Sequence, residues 1–174
     1  MKVEGLDKLQ ANIQKLAKQT VPKSVAKAIN QVAKQAIRRS VKTVSKEVKA
    51  PAKLIRNRVR LTKKATTQSP IARLLVNRGN LPLIRLLEDS RCRVVEHKGT
   101  IAIGQHRVQR GFIQQLKNGR VQVMQRQGKA RYSIDVVKIP LATPLSNAFH
   151  NELKDYQAQV KVELTKELSH VFHR

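Results

Sequence analysis

The side chains able to do chemistry are few in this sequence, and they are scattered. His170 and His173 stand three apart near the C-terminus, with His150 further back on the same helical repeat. Two imidazoles at that spacing can share a metal, but a zinc site wants three or four ligands, and no Cys or cluster of acids accompanies them. Cationic His is also favoured at a helix C-terminus, which accounts for the placement without a metal. The middle acids Glu88, Asp89, Glu96 and Asp135 sit among Arg and Lys and read as ion-pair partners rather than a catalytic dyad. Cys92 stands alone, so no disulfide forms within the chain and a reducing compartment is compatible. It reads as a small strand residue. No glycine loop of phosphate-binding spacing, serine nucleophile motif or paired-cysteine pattern is present. The expectation is therefore no enzyme, no catalytic residue, no metal and no cofactor.

The charge carries more information. The 174 residues hold 36 Lys and Arg against 11 Asp and Glu, a formal net charge of +25. Residues 1–64 have 18 basic against 3 acidic, residues 65–140 have 14 against 4, and residues 141–174 have 4 against 4. Self-repulsion of that size calls for an anionic partner such as nucleic acid, a membrane surface or an acidic protein. Lys34, Arg38, Lys42 and Lys46 repeat at i,i+4, where each like-charged pair costs an isolated helix roughly 0.2–0.5 kcal/mol. Such a row is either a solvated face or a stripe apposed to DNA phosphates or an acidic subunit, and composition alone leaves both open. Base-specific recognition is disfavoured, since no helix-turn-helix, zinc-finger or aromatic stacking signature appears. The absence of Trp argues against a membrane-surface helix. With no apolar run near 18 residues and no signal-type core, a soluble, non-secreted protein is expected.

Periodicity supplies the elements that would position these residues. Leu6, Leu9, Ile13 and Leu16 recur at helical spacing, and Thr20-Val21-Pro22 reads as punctuation, with Thr20 as N-cap of the next helix. A second, long basic helix then runs from Pro22 to Lys49, about 42 Å if continuous. Its apolar stripe shifts near Arg39-Ser40, a place to bend or break, and Pro51 stops it before a third short helix. Residues 65–140 read as strands: two short apolar runs about Asn77-Arg78-Gly79-Asn80, two strands joined near Lys98-Gly99, and a hairpin about Lys117-Asn118-Gly119-Arg120. Pro140 and Pro144 end this β region. From Leu145 onward a sustained repeat predicts a long amphipathic helix with balanced charge. The expected fold class is α+β in one domain, with a helical basic region (1–64), a central antiparallel β-sheet with hairpins (65–140) and a C-terminal helix (141–174).

The stretch Gly111–Pro140, "GFIQQLKNGRVQVMQRQGKARYSIDVVKIP", strongly resembles the minor tail protein Z family of lambda-like tailed phages and prophages. "VPKSVAKAINQVAKQAI" (Val21–Ile37), "KLIRNRVRL" (Lys53–Leu61) and "ARLLVNRGNLPLIRL" (Ala72–Leu86) extend the resemblance over more than half of the chain in family order. Phe112, Asn118, Gly119, Arg120, Asp135 and Pro140 would be framework positions of the shared motif. The resemblance implies a structural minor component at the head-proximal end of a tail, one that completes the tail, joins it to the head and lets the DNA end take its place. Implied partners are tail terminator, tail tube or head-joining proteins, further copies in a ring, and the backbone of phage dsDNA. The implied location is the virion tail, with host cytoplasm during assembly. The rival reading from charge alone is a non-specific nucleic-acid-binding protein acting through phosphate contacts.

Overall fold

A computed structural model describes residues 6–128 and 133–172. Helix α1 (Leu6–Lys15) passes through one π-helical turn (Leu16–Thr20) directly into α2 (Val21–Glu47). Lys15 and Val21, at either end of the turn, both keep right-handed helical angles, and the Val21 N–H reaches back to the Leu16 carbonyl. Thr20 is thus inside a continuous helical backbone and does not cap α2. The cause is local: Pro22 has no N–H to give, and a wide turn relieves the crowding its ring would create against the preceding turn. Nor does α2 break at Arg39-Ser40. It stops after Glu47 with Lys49 in the left-handed region (φ 50), the Ala50 N–H on the Ser45 carbonyl at 3.2 Å and Pro51 immediately beyond.

Short α3 (Ala52–Arg56) follows, then, among the described residues, ten short strands: β1 (Val59–Lys63), β2 (Arg73–Val76), β3 (Leu81–Pro82), β4 (Val94–His97), β5 (Thr100–Ile103), β6 (His106–Gln109), β7 (Gly111–Gln115), β8 (Val121–Arg126), β9 (Ile134–Val136) and β10 (Lys138–Ile139). The chain ends in α4 (Ala142–Leu153) and α5 (Tyr156–Phe172). The α+β class holds, with three differences in detail. The strands make four small sheets, β1-β2, β3-β10, β4-β5-β6 and β7-β8-β9, instead of one central sheet. Strand β1 already lies within the stretch read as helical. The C-terminal repeat is divided by a turn at Lys154-Asp155 into two helices.

The chain forms two compact units. The first holds residues 1–39, 59–75 and 150–174, and the second holds residues 40–58 and 76–149. Helix α2 contributes to both, and the change falls between Arg39 and Ser40, where its apolar stripe shifts. In the first unit the buried side chains of α2 are mostly small, Ser24, Ala26, Ala28, Val32, Ala33 and Ala36, with Ile37 the one large exception. In the second, a 3-10 turn (Leu83–Glu88) packs on β5 and β8 and buries Leu83 and Leu86 with Ile101, Ile103 and Val123. Truncating either leucine to Ala should cost about 2–5 kcal/mol. That 3-10 turn, with the two-residue β3, takes the place of the second apolar run expected to pair about Asn77–Asn80. The two runs do not pair with each other, because β2 joins β1 while β3 joins β10.

The hairpins follow their turn chemistry. Lys98 and Gly99 both have positive φ (46 and 72), the conformation that a two-residue loop between β4 and β5 requires. The Asn118-Gly119 turn is a three-residue loop instead. Gly119 alone takes positive φ (77), its N–H donates to the Leu116 carbonyl at 2.9 Å, and the Leu116 N–H donates to the Arg120 carbonyl at 2.8 Å.

Candidate functional site

On a helix, residues four apart form ridges that wind slowly around the axis, and α2 carries two adjacent ridges of opposite circumstance. One runs Lys27, Gln31, Gln35, Arg39, and within the first unit it meets acids of α4 and α5. Lys27 Nζ lies 3.5 Å from Glu167 Oε2, the Gln35 amide donates to Glu163 Oε1 at 3.2 Å, and Arg39 Nη1 lies 3.7 Å from Glu152 Oε2. Glu163 also receives Lys166 at 3.2 Å, so the Gln35 amide first and Lys166 next hold its carboxyl below the ordinary glutamate value. The helices that are neutral in sequence thus supply the acids that satisfy one side of the basic helix.

The neighbouring ridge is the row Lys34, Arg38, Lys42, Lys46. All four side chains are exposed, and among the described residues none has an ion pair or hydrogen bond. From first to last the row covers about 18 Å of helix at 1.5 Å per residue. Four unpaired cations along one helix favour a polyanion or an acidic surface, since each gains Coulomb energy from a partner it lacks within its own chain.

The motif residues occupy a different place. Phe112 is half-buried on β7 opposite Met124, and Asp135 is exposed on β9 opposite Gln125. The Asn118 side-chain oxygen accepts the Arg120 N–H at 3.1 Å, closing the hairpin loop with Gly119. These five positions therefore belong to one three-stranded sheet. Pro140 lies outside it, exposed between β10 and α4. Asn118 and Gly119 close the turn and Phe112 packs within the sheet, while Asp135 and Pro140 are exposed.

Two residues that hold the architecture were not singled out by spacing. Asn30, inside α2, donates to the Ala65 carbonyl and accepts the Ala65 N–H, both at 2.9 Å, tying the segment after β1 to the helix. Its signal was a polar amide at a poor helix-interior position, which implies a partner elsewhere. Arg58 donates to the carbonyls of Gly79 (2.5 Å) and Asn80 (3.3 Å) and fixes that loop, with its pKa lowered by burial and then by Arg85.

The acids considered for catalysis do not converge. Glu88 pairs with Arg85 at 2.7 Å, and Asp89 is clamped side-on by Arg91 Nε and Nη2, which with the Arg91 backbone N–H hold its carboxyl down to about 2. Glu96 and Asp135 are exposed and have no ion pair among the described residues. His150 and His170 are exposed on separate helices, and His173 lies outside the described residues. No group of three His, Cys, Asp or Glu that could hold a metal occurs among the described residues. No described helix is long and apolar enough to cross a membrane.

An α+β protein with small sheets for framework and one long helix displaying a row of unpaired cations belongs to the class of structural interaction proteins. The chain is a member of the prophage minor tail protein Z family, whose model matches residues 3–174. It is 42% identical over 187 aligned positions to tail completion protein Z of Escherichia phage lambda, covering 98% of this chain and 94% of that protein. It is 44% identical over 160 positions to the tail completion protein of Escherichia phage N15, covering 88% and 86% respectively. No solved structure matches the chain.

Proposed function

We propose that this protein completes a phage tail as a structural minor component at the tail's head-proximal end, binding tail or neck proteins and forming a homo-oligomeric ring that helps position the DNA end. The observation that carries the reading is the family match along residues 3–174, with relatives named for tail completion over almost their whole length. Within this reading, the row Lys34, Arg38, Lys42, Lys46 is the surface for DNA phosphates or for an acidic tail protein. Its work takes place in the virion tail, after assembly in the host cytoplasm.

Deleting the gene from the parent phage or prophage tests the role. Tails should then fail to give infectious particles, and the intact gene supplied in trans should restore them. The protein should also be present in purified particles at a small fixed count against a major tail protein, measured by quantitative peptide mass spectrometry. Normal infectious yield from the deletion would refute the role.

A further inference from the structure

Helix α1 shows its apolar stripe to solvent. Leu9 and Ile13, one turn apart, are 60% and 56% exposed, and of the described side chains from Leu9 to Gln19 only Leu16 is half-buried. An amphipathic helix normally buries its apolar face by packing. The described stripe of α1 is therefore a face without a partner among the described residues.

The same unit contains an apolar groove without an occupant. About 780 Å³ in volume, it is lined by residues including Ile29, Val32, Ala33, Ile71, Tyr156 and Val160. Ile71 and Tyr156 on its border are 56% and 51% exposed.

Helix α1 cannot fill this groove on its own chain. Helical backbone continues from Leu6 to Glu47, with Lys15 at φ −63, ψ −42 and Val21 at φ −60, ψ −49 on either side of the π turn. Ile13 and Ile29 therefore lie on one rod, about 24 Å apart at 1.5 Å per residue. A helix does not fold onto its own flank without breaking. Lys154 and Asp155 are both exposed between the lining residues Leu153 and Tyr156; Asp155 has no ion pair among the described residues and is open to an external cation, and Lys15 and Lys18 are exposed beside the α1 stripe.

We propose that α1 of one copy of this chain docks into the Ile29–Ile71–Tyr156 groove of the next. Donor and acceptor are different surfaces, so the contact is head-to-tail, and repetition gives a ring where the rotation closes. The proposal rests on the ring in the functional reading above and supplies its joint.

Sedimentation of the full chain over a range of concentrations tests it, with Leu9→Glu/Ile13→Glu as a donor-defective variant and Ile71→Glu as an acceptor-defective one. All three positions are exposed, and circular dichroism checks that the folds are kept. The wild type should self-associate, and each variant should do so at least about tenfold more weakly. An equimolar mixture of the two variants retains one good interface and should give a heterodimer and nothing larger. A monomeric wild type, variants that associate like the wild type, or a mixture without dimer would overturn the proposal. As a second measurement, Ile13→Cys and Ile71→Cys on separate chains, in a Cys92→Ser background, should form an interchain disulfide. A pair on one chain that closes only within that chain would overturn it in favour of a folded-back α1. These readouts need no phage, so a normal infectious yield on gene deletion would refute tail completion while leaving the association result standing.

Discussion

The two ridges of α2 are both polar, one half amide and half cation and the other all cation, and their surroundings are opposite. Along Lys27, Gln35 and Arg39 every polar head meets a carboxylate of α4 or α5, whereas along Lys34, Arg38, Lys42 and Lys46 none does among the described residues. The first ridge is therefore part of how the chain holds itself together, and the second is the one proposed above as a contact surface. Basic residues on one helix cannot be assigned one role together, because a shift of one position moves a cation from an internal partner to none among the described residues.

Charge reversal on the open ridge should give the largest effect. Lys34→Glu with Arg38→Glu sets like charges against an anionic partner, at a cost of several kcal/mol, and should lower infectious yield by about 100-fold or more with thermal stability unchanged. Unchanged yield in a folded variant would remove the distinction between the ridges. A framework control calibrates that result: Gly119→Ala puts a side chain at φ 77 and should destabilise the protein by about 1–2 kcal/mol in denaturant unfolding, while yield falls only as far as folded protein does. If this control lowered yield as much as the reversal, stability and not contact would explain both.

The paired ridge should show itself in pH dependence. The depressed Glu163 carboxyl releases its proton more readily in the folded state than in the unfolded one, so it stabilises the fold above the usual glutamate value of 4.5 and loses that contribution as pH falls through its lower folded value. Glu163→Gln should therefore have a lower melting temperature than the wild type at about pH 6, and the gap should narrow by about pH 3. A constant gap would mean that packing, not charge, is what Glu163 supplies. The smallest change is expected at Lys27→Ala, whose side chain is 70% exposed beside Glu167; loss of that pair should alter stability by no more than about 0.5 kcal/mol.

Much of this architecture was legible because its causes are short-range. The i,i+4 apolar spacing marked α2, and Pro51 marked its end. Lys98-Gly99 and Asn118-Gly119 marked two turns that exist, although only the first has positive φ at both residues. Legibility failed where one local signal had two outcomes. Thr20 before Pro22 looks the same whether the helix restarts or widens into a π turn, and "LPLIRLL" is as good an apolar run for a strand as for the buried 3-10 turn it forms. The unbroken repeat after Leu145 gave no sign of the turn at Lys154-Asp155. Asn30 showed only that it needed a partner, since Ala65 is remote in sequence.

The helical and hairpin elements, the excess of positive charge and the family are written in residues a few positions apart or in their order along the chain. Which cations find a partner among the described residues is a matter of packing. Gln35 and Glu163 are 128 positions apart, and whether a carboxylate reaches one ridge or its neighbour depends on the packing of α4 and α5 against α2, which the charges along either segment do not specify.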